Sequence, residues 1–247
     1  MIPLKDNLPS RRFPAVTATL IAVNAVVFLF ELQLGRKLEA VFLEYGLVPL
    51  FYSSPNVAAR LSVVDLALPF LSSMFLHGGW LHIIGNMWSL WIFGDNIEDR
   101  LGRGRYLAFY LVCGFAAGVM HVASTIAGVR LGTFSEESLL IPTIGASGAL
   151  SGVMGAYLIL FPRARVLTLI PIFVFLHFAN LPAYVFLGIW FVMQFFNGTV
   201  GLLSGSDSFG GIAWWAHIGG FAAGALLVKL FHIGLPRGGG RMSRFEI

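Results

Sequence analysis

Residues 144–161 read Ile144-Gly145-Ala146-Ser147-Gly148-Ala149-Leu150-Ser151-Gly152-Val153-Met154-Gly155-Ala156-Tyr157-Leu158-Ile159-Leu160-Phe161. The stretch carries no charge and approaches the roughly 20 apolar residues that cross hydrocarbon as a helix. A second apolar stretch, 211–232, carries His217 at a similar depth. A serine in such a place is ordinary, because its hydroxyl bonds back to its own helix. An ionisable imidazole there is rare and by default marks a functional site. Together, Ser147 and His217 read as a nucleophile and its base held inside a membrane.

The surrounding chain agrees. Of its 247 residues 57% are hydrophobic and 11% charged, with a mean hydropathy of +0.82. Soluble domains carry about 25% charged residues, so the composition predicts an all-α polytopic membrane protein with one membrane domain over 1–247. The net charge of +4 does not imply a nucleic-acid partner. The basic residues sit in short gaps between apolar runs, where they orient spans. The lone Cys113 excludes an intramolecular disulfide and reads as a small core residue. Residues 1–12 are polar and show no cleavage pattern, so no removed signal peptide is expected.

Six spans are expected, at 14–33, 77–95, 106–128, 144–161, 180–197 and 211–232, between a short tail at 1–12 and a basic tail at 233–247. The apolar stretch 166–179, broken by Pro171, reads as a lead-in to the fifth span. Twelve of the 16 basic residues, among them Lys5, Arg11, Arg12, Arg100, Arg103, Arg105, Arg163, Arg165 and Lys229, fall on one side. Arg36, Lys37, Arg60 and Arg130 fall on the other. This bias predicts cytoplasmic termini. The short termini and compact loops point to a bacterial plasma membrane. Residues 34–76 are too apolar for a solvated loop and predict short helices lying in the outer leaflet.

On this topology His82, Ser147 and His217 enter from the same side. At about 1.5 Å per residue they lie roughly 5–10 Å below that surface, so the site is expected to open to the outside. His82 and Asn86 are spaced i, i+4 and share a helix face. Both suit an oxyanion hole alongside the Ser147 backbone N–H. The bland alternative for His82 and Asn86 is an interhelical hydrogen bond. Gly148/Gly152 and Gly220/Gly224 are pairs of small residues one turn apart, with Gly145 before the serine. Such pairs let two helix backbones approach closely and would bring Ser147 to His217. No carboxylate lies at the depth of His217, so a dyad is expected; Asp207 lies outside the span. His77 reads as a brace for the long loop, His121 as mid-span without a matching partner, and His177 and His232 as interfacial. No histidine or cysteine spacing suits a metal; neither metal nor cofactor is expected. Trp80, Trp214 and Trp215 fit an aromatic belt.

These residues resemble the rhomboid intramembrane serine proteases. The matching pieces are His77 with His82-xxx-Asn86, Gly145-Ala146-Ser147-Gly148, and Ala216-His217-Ile218-Gly219-Gly220 with Gly224. The stretch Phe93 to Gly102 is similar to the family's loop after the second span. The resemblance runs from about Arg12 to Phe231. It implies a six-helix core and a Ser147–His217 dyad with His82 and Asn86 at the oxyanion. It also implies endopeptidase action on single-span or multi-span membrane proteins in the bilayer, near the outer face. Two positions depart from the pattern. No Arg-containing dipeptide lies between 61 and 76, and Ser151 stands where some members place an aromatic ring against the base. A lateral gate near the fifth span is expected, walled by Pro182, Phe186, Trp190 and Phe195. The competing reading is a catalytically silent rhomboid-like protein that binds or sorts membrane proteins. A transporter would call for midplane charges or inverted repeats, which the sequence lacks.

Overall fold

A computed structural model describes residues 1–172, 175–204 and 213–233. In chain order these form β1 (Ile2–Asp6), α1 (Ala15–Leu34), α2 (Leu38–Tyr45), α3 (Pro55–Ala58) and α4 (Val63–Ser72). Then come α5 (Trp80–Leu101), α6 (Arg103–Arg130), α7 (Ser147–Leu160), β2 (Arg165–Ile172), β3 (Phe175–Pro182), α8 (Ala183–Ser204) and α9 (Trp214–His232). Helices α1, α5, α6, α7, α8 and α9 fall on the six expected spans. Four helical stretches, Ala15–Tyr45, Arg103–Arg130, Ala183–Gly201 and Trp214–Phe231, are long and apolar enough to cross a bilayer. A fifth is added if Val63–Phe75 and Trp80–Leu101, bent by 82°, count as one span. The count of six is therefore approximate.

α7 is the short one, with 14 residues. It reaches about 21 Å across a hydrocarbon layer of about 30 Å. By itself it is too short for a full crossing. Residues 34–76 form the expected short helices, and α4 lies nearly perpendicular to α5. Ser62 and Asp65 form a reciprocal cap at its start, satisfying amides that have no partner within the helix.

The ends of the long helices are tied by side chains distant in sequence. The Glu98 carboxylate on α5 accepts from Val16 N (3.0 Å), Thr17 N (2.8 Å) and Thr17 Oγ1 (2.9 Å) at the start of α1. Those are amides that a helix start leaves unpaired. Gly102 alone joins α5 to α6 with φ +79°, a backbone setting that strains any residue with a Cβ. The core is built from Phe93, Tyr106, Phe109, Tyr110 and Tyr157, all fully buried. Val26, Phe30, Phe115, Phe196 and Leu226 are exposed and form the lipid-facing surface.

A small sheet corrects one expectation of the sequence. The helical membrane-bundle reading holds, and the bundle carries in addition a small three-stranded antiparallel sheet ordered β1-β2-β3. The stretch expected to lead into the fifth span is the β2–β3 hairpin, with Arg165 opposite Pro182 and Ile172 opposite Phe175. Residues 165–172 are too short to span as a helix, and Pro171 interrupts helical bonding. Within the N-terminal tail, residues 2–6 fold back as β1, with Asp6 opposite Val166 and Ile2 opposite Leu169. Asn7 closes the base: its N–H donates to Arg165 O (3.0 Å), and its side-chain carbonyl accepts from Arg165 N (2.7 Å). The basic tail from residue 234 onward and Asp207 lie outside the described residues.

Candidate functional site

Ser147 is the first residue of α7, set there by a turn at Gly145. Gly145 has φ +123°, and its N–H donates to Ser73 O at 2.8 Å. A Cβ on Gly145 would lie 2.6 Å from His82 Nε2, so glycine is required both by conformation and by space. The His82 imidazole from α5 therefore rests directly against the turn that presents the serine. At the start of α7 the backbone N–H groups of Ser147 and Gly148 have no acceptor one turn earlier and point back toward the Gly145 turn.

His217, on the first turn of α9, places Nε2 2.8 Å from Ser147 Oγ. The close approach is made by glycine. A Cβ on Gly220 would stand 2.1 Å from Gly148 O, and one on Gly224 1.9 Å from Gly152 O. Gly155 meets Phe221 O in the same way at 2.2 Å. Backbone lies on backbone, which is how helices associate where lipid removes the hydrophobic drive. Gly148 and Gly152 also face Ala117 and Cys113 of α6. Cys113 is buried there as expected.

The other ring nitrogen has a partner the sequence did not suggest. His217 Nδ1 lies 2.7 Å from Gln194 Oε1, on α8. Gln194 Nε2 donates to Trp190 O at 3.3 Å, which turns the amide oxygen toward the imidazole. The proton is thereby held on Nδ1, and Nε2 is left to accept from Ser147. A lone glutamine in an apolar run has no periodic signature; its one signal is a polar side chain in mid-span. The aromatic ring absent at Ser151 comes from elsewhere. Trp190 lies 6.0 Å from the His217 ring, tilted by 33°, and Trp214 lies 6.3 Å away edge-on. Ser151 donates to Ser147 O at 2.6 Å.

Asn86 and Gln194 are both buried, and Asn86 lines one cavity of about 220 Å³ with Ser147, His217, Phe186 and Trp190. Met1 and Pro3 of β1 line the same cavity. Asn86 Nδ2 donates to His77 Nε2 at 3.1 Å, and the His77 ring packs edge-on to His82 at 5.0 Å. His77 is fully buried, and its N–H donates to Glu31 of α1 at 3.1 Å. It stands behind Asn86 and His82 as well as bracing the chain. His121 meets Thr143 rather than lacking a partner, and His177 is exposed on β3. Of the expected gate residues, Phe186 and Trp190 face the cavity, Phe195 packs on Trp215, and Pro182 closes β3. Among the described residues no cluster of three potential ligands suits a metal ion.

Residues 66–233 match the family model for the rhomboid domain. The chain belongs to the rhomboid family. It is similar to the presenilin-associated rhomboid-like protein, mitochondrial, of Mus musculus, 31% identical over 157 residues, 63% of this chain and 36% of that protein. It is 34% identical over 131 residues to presenilin-associated rhomboid-like protein A, mitochondrial, of Danio rerio, 52% of this chain and 30% of that protein. Rhomboid protein 1, mitochondrial, of Saccharomyces cerevisiae is 29% identical over 104 residues, 42% of this chain and 28% of that protein. The chain spans about a third of the length of these curated rhomboid relatives. They also correct the expected location. All are eukaryotic proteins named as mitochondrial, so the bacterial plasma membrane, and the naming of faces as cytoplasmic and outer, is withdrawn. An integral membrane protein of the rhomboid family stands.

Proposed function

We propose that this rhomboid protein is a serine endopeptidase that cuts transmembrane segments of other membrane proteins. The observation carrying this reading is the 2.8 Å contact between Ser147 Oγ and His217 Nε2, built on a glycine-to-carbonyl helix crossing. The silent, sorting alternative gives no reason for a hydroxyl, an imidazole and an amide acceptor to be aligned beside one cavity.

The steps follow from the side chains. Ser147 Oγ attacks the scissile carbonyl carbon as its proton passes to His217 Nε2. The imidazolium keeps its Nδ1–H on Gln194 Oε1. The negative oxygen of the tetrahedral intermediate is met by the N–H groups at the start of α7 and by Asn86 Nδ2, with His82 beside them. His217 then gives its proton to the departing amine as the C–N bond breaks. Water, deprotonated by His217, attacks the resulting ester and releases the second product and Ser147. A helical substrate hides its carbonyls in its own hydrogen bonds, and each unpaired backbone group costs several kcal/mol in lipid. Substrates with Gly, Ala, Ser or Pro near the cut are accordingly favoured.

The direct test is a fluorophosphonate probe on the detergent-solubilised full chain. Labelling is expected for the wild type and not for Ser147→Ala; equal labelling of both would overturn the assignment. Gln194 is a positioning residue in this scheme. Gln194→Leu removes the acceptor and is expected to lower kcat about 10–100-fold with KM unchanged. Gln194→Glu, which still accepts from Nδ1–H, is expected to restore most of it. A loss shared equally by both variants would assign Gln194 to packing alone.

A further inference from the structure

The catalytic scheme makes no use of β1, yet β1 ends in the catalytic cavity. Met1 and Pro3 line it together with Ser147 and His217. From there the strand descends along α5. Trp88 Nε1–H donates to Pro3 O at 2.6 Å. At the far end Asp6 accepts from Asn96 Nδ2 at 2.9 Å and from the Tyr157 hydroxyl. The wall beside it is where α5 and α8 meet, with Phe93 stacked on Phe186. Extended backbone among apolar helices needs partners for its amides and carbonyls, and the edge of β2 supplies them. A substrate helix unwound for attack has the same need at the same place.

β1 fills that edge imperfectly. Pro3 has no N–H to donate. The pairing register slips between Pro3 and Lys5. Lys5 and Asp6 bring charge into the ladder. An apolar segment whose helix-breaking residue lies at the cut rather than in the ladder would pair more completely.

We propose that the edge of β2 is the docking strand for the unwound segment of a transmembrane substrate, and that residues 1–6 occupy it as a competitor built into the chain. The proposal rests on the serine-protease reading of Ser147. β1 must leave β2 before a membrane substrate is cut, whereas a small reagent reaches Ser147 with β1 in place.

The test locks the strand. Ile2 and Leu169 are antiparallel partners, whose Cα atoms stand about 4.5–5.5 Å apart, within disulfide reach. The Ile2→Cys/Leu169→Cys full chain is reconstituted in liposomes with a single-span substrate. Oxidation is expected to slow cleavage at least tenfold and reductant to restore it, while fluorophosphonate labelling of Ser147 stays within twofold. In the opposite sense, Trp88→Phe frees the Pro3 carbonyl and is expected to raise cleavage about threefold. Cleavage undiminished after oxidation would overturn the proposal. So would a parallel loss of labelling, which would mean a distorted site rather than a blocked path. Absence of labelling in the reduced protein would bring down the serine-protease reading and this proposal with it.

Discussion

Ser147→Ala and His217→Ala are each expected to cut the cleavage rate of a reconstituted single-span substrate by on the order of 10⁴-fold or more. The double variant is expected to be no slower than either single one. The reason is mechanical. His217 Nε2 has one task, to take the proton from an oxygen 2.8 Å away. Without that oxygen the base has nothing to activate, and without the base the hydroxyl remains a poor nucleophile. Residues acting as a unit lose their effect together. Losses that multiply in the double variant would show two independent contributions and refute the pairing. Both proteins are expected to fold, since each change only shortens a side chain beside the cavity. Thermal unfolding in detergent provides the check.

The second large effect concerns the crossing of α7 and α9. Gly224→Val is expected to abolish the folded state, and Gly220→Ala to destabilise it by about 3 kcal/mol while lowering cleavage about 100-fold. A Cβ on Gly224 would meet Gly152 O at 1.9 Å, and one on Gly220 would meet Gly148 O at 2.1 Å. These are backbone atoms, which cannot rotate aside. Relief comes only by moving one helix off the other. Gly148 follows Ser147 and Gly220 lies on the same face of α9 as His217, so the shift separates hydroxyl from imidazole. A misplacement of about 1 Å can cost about 100-fold. Gly188→Ala on α8 is the control. Nothing lies within 4 Å of its would-be Cβ, and the change is expected to stay within about 0.5 kcal/mol. Equal melting temperatures for Gly188→Ala and Gly220→Ala would contradict the account.

Much of this arrangement was legible in the sequence, because membrane helices are written locally. Apolar runs gave the positions of six helices. Glycines one turn apart marked the α7–α9 crossing, and an imidazole at the depth of a serine marked the pair. What could not be read was what depends on partners far along the chain. Residues 2–6 carry no strand pattern of their own; Pro3 and the charges argue against one. They become β1 only because β2, some 160 residues later, presents an edge. The β2–β3 hairpin is apolar on both faces, and such a run resembles a helix lead-in more than an alternating strand. Gln194 and Trp190 reach His217 through the packing of α8, which one sequence does not encode as a spacing.

Glu98 carries a consequence for how the chain assembles. The amides of Val16 and Thr17 are synthesised long before the carboxylate that meets them. The opening turn of α1 therefore lacks these acceptors until α5 is in place. The seating of α1 in the bundle thus depends on a carboxylate about 80 residues downstream.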